Sequence, residues 1–260
     1  MDRGINMIYF KSKKSLDTFL MVFILGAVKA YRRNYIDLTI LEYYIFSMLI
    51  RLMCRKAHLS NKLLNIIGDG MSLEDVDEWM ARRIPIPALN DTLDDIECSS
   101  WIALIERELE GNTLSEALKI STHDEKKFGI YFFTDYVEEI FWALFLLGLY
   151  EVLQKPEFIS ESILSCINQT YLSEIYTCER IQNEDLQACI SNLQEIADTN
   201  ISGQLSKDLI TMKAKLASLQ VLLPFYGMSS DKLETGIDLK ATKGMFWQIK
   251  VSGKFIDLGL

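Results

Sequence analysis

The sequence has few of the residues that interrupt regular structure. Only four prolines and 13 glycines occur among 260 residues, which argues against a loop-rich β protein. Leucine, isoleucine, glutamate, lysine and methionine are abundant, and these residues favour helices. Because 49% of the residues are hydrophobic and 24% are charged, the chain is able to bury a large core. We therefore predict a mainly α-helical protein, a multi-helix bundle of one large or two small domains.

The sequence also lacks the motifs of the common enzyme classes. It contains no Walker loop, no G-x-G-x-x-G after a strand, no H-E-x-x-H and no G-x-S-x-G. Of its two histidines, we expect His58 at the surface. His123 could pair with Asp124 in acid–base chemistry, but no nucleophile or second ligand has a matching spacing. We predict that the protein is not an enzyme and binds no cofactor. A metal-dependent helical enzyme is the least favoured alternative.

Neither a disulfide framework nor a membrane span is predicted. The five cysteines are odd in number and no pair has C-x-x-C spacing, which favours reduced thiols and a cytoplasmic location. The strongest apolar runs, Phe19–Val28 and Ile140–Tyr150, are each about half the roughly 20 residues that a spanning helix needs. We expect two buried core helices, no cleaved signal peptide and no membrane association.

Charge is distributed unevenly along the chain. Residues 1–70 contain 11 basic and five acidic residues, whereas residues 71–203 contain eight basic and 26 acidic residues, a net charge of −18. Such a segment repels nucleic acid and attracts basic proteins. We therefore predict a basic protein partner and no nucleic acid.

The hydrophobic pattern predicts two units, residues 1–120 and 128–260, joined by the polar stretch Ser121–Lys127. Helices are predicted at Ser15–Arg33, Asp37–Ala57, Ser60–Ile67, Thr92–Glu110 and from an Asp135 cap to Gln154. Further helices are predicted up to Leu223. At the C-terminal end, Met245–Val251 and Lys254–Leu258 flank Ser252-Gly253, a pattern typical of a small β-hairpin. An isolated hairpin is marginal in water, so it must pack on the helices or join a sheet.

Two of the predicted helices resemble each other. Phe19–Gly26 and Phe141–Gly148 share two phenylalanines, a leucine and the final glycine at the same spacing. One interpretation is a duplicated helical-hairpin unit packed about a pseudo-twofold axis, with the glycines permitting a close helix crossing. The other is that two buried helices look alike because both must be apolar.

Acidic residues cluster where helices are predicted to begin, and each cluster has a tryptophan near it. Their simplest role is to complement the helix dipole, and the simplest role of the tryptophans is core packing. The alternative is a partner-binding surface with tryptophan anchors. The candidate partner-binding residues are Glu74, Asp77, Glu78, Trp79, Asp91, Asp94, Asp95 and Trp101.

One segment resembles a known class of proteins. The pattern D-Y-x-x-x-x-W-x-L-x-L-x-L-L, approximated by Asp135–Tyr150, is similar to helical immunity proteins encoded beside bacterial polymorphic toxins. Phe23–Tyr31 with Leu73–Asp77 is similar to a family of short uncharacterised helical bacterial proteins. The first resemblance implies an intracellular inhibitor of one cognate toxin, and it transfers no contact residues.

Two binding functions follow as hypotheses. The leading one is a cytoplasmic immunity-type protein that neutralises a cognate toxin by covering its active site or substrate groove, with the acidic middle of the chain attracting a basic toxin. The alternative is a structural or regulatory helical interaction module, possibly a homodimer that uses the hairpin edge.

Overall fold

The computed structural model describes residues 7–10, 12–73, 87–110, 120–121, 128–155, 184 and 245–259. The described residues are 65% helical, which confirms the predicted mainly α class with a small C-terminal hairpin. In chain order the elements are β1 (Met7–Phe10), α1 (Lys13–Arg32), α2 (Leu38–Tyr44), α3 (Met48–Lys56), α4 (Asn61–Gly70), α5 (Pro87–Leu109), β2 (Ile120–Ser121), β3 (Phe128–Phe132), α6 (Asp135–Leu153), β4 (Trp247–Val251) and β5 (Lys254–Phe255).

The C-terminal hairpin belongs to a five-stranded antiparallel sheet. The strand order is β2-β1-β3-β4-β5, so the first and second predicted units contribute strands to one sheet. The hairpin turn places Ser252 at φ 51° and Gly253 at φ 78°, the two positive values that a two-residue turn between twisted strands requires. The strands β1 and β3 were not predicted from the sequence.

Alternate residues of the central strands point into a core that α1 and α6 complete. Ile8, Phe10, Ile130, Phe132 and Ile249 are buried. The ring of Phe10 meets Phe19 of α1 edge-on at 5.1 Å, and the ring of Phe132 meets Phe141 of α6 edge-on at 5.0 Å. Each strand therefore packs against the helix that follows it in the same way.

The contacts between α1 and α6 are reciprocal. Phe19 stacks on Phe145 with ring centroids 4.1 Å apart, and Phe23 stacks on Phe141 at 3.9 Å. In the sequence, Phe141 lies 122 positions after Phe19, and Phe145 lies 122 positions after Phe23. Each stacked pair therefore contains the equivalents of the residues in the other pair. The two helices thus exchange the same contacts, as a local twofold axis requires.

The two glycines that the sequence singled out lie at this crossing. A Cβ atom at Gly26 would overlap the carbonyl oxygen of Leu144, and one at Gly148 would overlap that of Val22. Val22 and Leu144 are again 122 positions apart, so the overlap is reciprocal as well. The predicted role of the glycines in a close helix crossing is confirmed.

Equivalent residues of the sheet are also separated by 122 positions in the sequence. Ile8 pairs with Ile130 in the ladder between β1 and β3, and these residues also differ by 122 positions, so the local axis passes through this pair. On the outer sides, β2 pairs with Tyr9 and Phe10 while β4 pairs with Tyr131 and Phe132. The repeated unit begins as a strand followed by a helix, whereas the predicted second helix of the second copy lies outside the described residues.

Three predicted local features are wrong. Helix α5 begins at Pro87, five residues before the predicted start at Thr92, because proline is well tolerated in the first turn of a helix. The helix predicted over Asp37–Ala57 is divided into α2 and α3, because the Ser47 side chain accepts a hydrogen bond from the Ile50 amide and begins a new helix. Between them, the buried ring of Phe46 packs closely against Gly70 at the end of α4. Helix α6 is capped by Thr134, whose hydroxyl accepts from the Val137 amide, and not by Asp135.

Within the described residues, no helix combines the length and the hydropathy that crossing a bilayer demands.

Candidate functional site

The candidate residues Asp91, Asp94 and Asp95 belong to α5. One face of this helix packs in the core. Pro87 is its first residue, where a missing amide proton costs nothing. Leu93, Ile96, Ala103 and Leu104 are buried, and the helix packs on α1 and α4. This packing fixes which residues α5 turns outward.

Six of the exposed residues of α5 form one continuous stripe. We call it the α5 outer face; it consists of Asp91, Asp95, Cys98, Ile102, Ile105 and Leu109. Their spacing of four, three, four, three and four residues places them on one side of a helix. At about 1.5 Å per residue the stripe is roughly 27 Å long. Its first two turns are acidic and its last two are apolar.

The apolar part of this face is unusually exposed for its residue types. Leu109 is 84% exposed and Ile102 is 51% exposed, whereas side chains of this type are most often buried. The sequence pattern does not single out these residues, because both sides of the last half of α5 are apolar. Periodicity alone does not tell which side enters the core.

The predicted acidic cluster divides into free and paired carboxylates. Asp94 forms an ion pair with Arg32 of α1. Glu97 forms ion pairs with Lys29 at 2.5 Å and with Arg32 at 3.6 Å. Within the described part of the chain, Asp91 and Asp95 have no ion pair and no hydrogen bond. Of these four carboxylates, only Asp91 and Asp95 therefore present an unneutralised charge to a partner.

A second, more buried network holds the C-terminal end of α5. The Arg107 guanidinium pairs with Asp17 of α1 and donates a hydrogen bond to the Thr18 hydroxyl at 2.8 Å. Asp17 also accepts a hydrogen bond from the amide of Ser60 at the start of α4. Burial lowers the pKa of Arg107, and the neighbouring Glu110 raises it. The network fixes α5 against α1, so the outer face is presented on a rigid helix.

The predicted tryptophan anchor on α5 lies beside the core. Trp101 is partly buried and packs against the hydrophobic cluster, with the Lys155 ammonium 5.3 Å from its ring centroid. Its role as an anchor stays a prediction. Glu74, Asp77, Glu78 and Trp79 lie outside the described residues.

The cysteines and histidines among the described residues differ in their exposure to solvent. Cys54 is buried, as expected for a small hydrophobic residue, whereas Cys98 is exposed on the α5 outer face. His58 is exposed as predicted, and His123 lies outside the described ranges. In the part of the chain that the structure describes, no three histidine, cysteine or acidic side chains are grouped for metal binding.

Comparison with known proteins gives one match. Residues 11–116 match a family described as a protein of unknown function, DUF3969. The matched region is less than half of the chain, and it contains α1 to α5 and both Phe23–Tyr31 and Leu73–Asp77. No curated protein and no solved structure matches the chain.

Proposed function

We propose that the protein is a cytoplasmic immunity-type inhibitor that binds one cognate basic toxin and covers its active site or substrate groove. The observation that carries the proposal is the α5 outer face, which joins free carboxylates to exposed apolar side chains on one rigid helix. Apolar residues beside a charged rim are typical of protein-binding surfaces.

The acidic turns would act mainly on the rate of association. Asp91 and Asp95 lie in a segment, residues 71–203, whose net charge is −18, and such a field accelerates encounters with a basic protein. The apolar turns would act mainly on the rate of dissociation. Burial of Ile102, Ile105 and Leu109 removes apolar area from water, and each well-packed anchor typically contributes about 1–3 kcal/mol.

The first test is co-expression with the product of the neighbouring gene. We expect that product to be toxic alone, to be harmless together with this protein and to co-purify with it. A harmless neighbour, or a toxic one that does not co-purify, would contradict the proposal.

The second test compares adjacent carboxylates on the same helix. Asp95→Lys and Asp94→Lys change the net charge equally, but Asp94 is already paired with Arg32. We expect Asp95→Lys to slow association at least about fivefold at low salt and Asp94→Lys to do so less. Surface plasmon resonance measures both rates, and circular dichroism checks the fold. Equal slowing by the two variants would show that only net charge matters.

The apolar half of the face has its own test. Ile102→Ser and Leu109→Ser should speed dissociation by roughly tenfold each, because they remove buried contact area without changing charge. Met48→Ser is a matched control, since Met48 is 61% exposed and belongs to α3 rather than to α5. Unchanged dissociation in both α5 variants would place the interface elsewhere. The acidic residues Glu74, Asp77 and Glu78 remain additional candidates for the same surface.

Homodimerisation through the hairpin edge stays an alternative. The edge strand β5 has only two residues, and short edge strands limit pairing with another chain. Deletion of residues 254–260 tests it, because β4 with its buried Trp247 remains in the sheet. A dimer mass in light scattering that falls to a monomer mass on deletion would favour this alternative.

A further inference from the structure

A basic groove lies at the end of the sheet, and none of the described residues that line it belongs to α5. Its floor follows the pairing of Phe128 with Val251 and of Val251 with Lys254, across the ends of three strands. One wall comes from the first residue of α1 and the other from the end of α3. The groove encloses a volume of about 680 Å³, a size typical of small-molecule sites.

The groove collects positive charge. Lys13, Lys56 and Lys254 line it together with His58, and none of the described residues that line it is acidic. Within the same described residues, Lys13 and Lys254 have no ion pair. Lys56 donates only to the uncharged carbonyl oxygen of Asp257. The three lysines belong to one lining, and because like charges on neighbouring side chains repel one another, an anion bound among them would be stabilised.

The first turn of α1 adds to this imbalance. Lys13 and Lys14 lie where the helix dipole disfavours cations, and no acidic residue is present in that turn. At the equivalent place in the second unit, α6 begins with Asp135, the arrangement that the dipole favours. The unfavourable lysines therefore occur in the unit whose helix lines the groove.

The groove also has an apolar part. Phe128, Phe255 and Ile256 contribute to its lining, and the ring of Phe255 is 46% exposed. Aromatic rings beside lysines fit a ligand that has a flat apolar body and a phosphate group. A long nucleic acid is disfavoured by the net charge of −9, and the volume limits the ligand to about one nucleotide.

We propose that this groove, between the start of α1, the end of α3 and the ends of β3, β4 and β5, binds a small phosphate-bearing molecule of nucleotide size. The groove shares no residue with the α5 outer face, so this proposal does not rest on the proposed function.

Calorimetric titration of the full chain with adenosine monophosphate, adenosine and inorganic phosphate tests the site. We expect the monophosphate to bind at least roughly tenfold more tightly than either part, because only it fills both regions of the groove. Its affinity should fall as salt rises. No heat from the monophosphate at about 5 mM, or equally tight binding of adenosine, would overturn the proposal.

Paired variants locate the site. Lys13→Ala combined with Lys254→Ala should weaken binding of the monophosphate at least about tenfold. Arg55→Ala combined with Lys62→Ala, which removes the same charge from exposed positions outside the groove, should weaken it less than about twofold. Circular dichroism confirms the fold of each variant. Equal weakening by both pairs would overturn the assignment of the groove.

Discussion

The β1–α1 and β3–α6 units share their mutual interface and differ in what surrounds them. Phe19, Phe23 and Gly26 recur as Phe141, Phe145 and Gly148, and these are the residues that each unit presents to the other. On another side of α1, Asp17 and Thr18 are buried and polar. The equivalent positions in α6 are Glu139 and Ile140.

The interface residues are alike and the outer residues are not because they pack against different kinds of neighbours. Residues at a twofold interface meet their own equivalents, so a change on one side must fit the other side as well. Residues on the outer sides meet different neighbours. In α1 they meet Arg107 and Ser60, which accounts for a polar patch in an otherwise apolar helix. Variants at equivalent positions can therefore separate shared roles from divergent ones.

The largest difference between the units is expected at the buried ion pair. Asp17→Ala should lower the free energy of unfolding by about 3–5 kcal/mol, because Arg107 stays buried without its carboxylate. Glu139→Ala, at the equivalent but only half-buried position of α6, should cost less than Asp17→Ala, because a partner left behind by a half-buried carboxylate stays closer to water. Urea denaturation measures both. Asp17→Ala with Arg107→Met should recover part of the loss, and similar losses in the two single variants would contradict the asymmetry.

The crossing glycines should behave as a matched pair. Gly26→Ala and Gly148→Ala should each destabilise the protein by about 3 kcal/mol, because each new Cβ meets backbone atoms that cannot rotate away. The double variant should lose less than the sum, since one separation of the helices accommodates both methyl groups.

Gly68→Ala is the control for the glycine pair. Its Cβ would meet only the Arg51 side chain, at 3.2 Å from the Nε that donates to the Leu64 carbonyl; a small shift of this side chain opposes the gain in helix propensity, so stability should change by less than about 1 kcal/mol. Thermal denaturation compares the three variants. Losses at Gly26 and Gly148 that differ by more than about 2 kcal/mol would show that the crossing is not reciprocal.

The helix caps test the same symmetry at lower energy. Ser12 accepts a hydrogen bond from the Ser15 amide at 3.0 Å, and Thr134 accepts one from the Val137 amide at 3.2 Å. Ser12→Ala and Thr134→Ala should each cost about 1 kcal/mol, whereas substitution by glycine should cost only a few tenths. Chemical denaturation of the four variants provides the comparison. An alanine variant as stable as the wild type would show that its cap contributes nothing.

The smallest expected effect is on stability at alkaline pH. It arises at Tyr150, where the second unit has a side chain that can lose a proton and the first unit does not. Burial raises the pKa of the Tyr150 phenol; Glu151 raises it further and Arg33 lowers it. Tyr150 lies where α1 has Val28, which does not titrate. Because the folded state holds this proton more tightly, the stability from Tyr150 is complete below about pH 10, its unfolded pKa, and is lost as pH rises through the folded value.

Tyr150→Phe should therefore make the loss of stability above about pH 10 less steep. Burial also raises the pKa of Cys54 to about 12, and its contribution to the alkaline loss is the same in both proteins. Urea denaturation between about pH 9 and 11 measures the two slopes. Parallel slopes for the variant and the wild type would contradict the prediction.

Local patterns predicted most of the described helices because the determinants of a helix lie within a few residues. The periodicity of α1 and α6 and the Ser60 cap of α4 were sufficient for this. The break between α2 and α3 was missed because apolar residues recur at helical spacing on both sides of Ser47, from Leu41 to Leu52. Ser47, a residue type that often begins a helix, and the bulky Phe46 before it were the sequence features that could have indicated the break.

The central strands were missed for a different reason. Met7–Phe10 is too short for a test of strand periodicity. Its Ile-Tyr-Phe sequence recurs at Ile130, Tyr131 and Phe132, followed in both cases by the hydroxyl residue that caps a helix. The similarity of these two segments would have extended the predicted duplication from the helices to the strands.

The sequence by itself determined most of the helices, the Ser60 cap of α4, the hairpin turn and the glycines of the close crossing, since these depend on neighbouring residues and on steric size. Only the tertiary structure decided that β1 pairs with β3, that Asp94 is neutralised while Asp91 and Asp95 are not, and that α5 turns Ile102, Ile105 and Leu109 outward. These outcomes depend on contacts between residues far apart in the chain. Whether a charge or an apolar side chain is available to a partner is set by what has already packed against it.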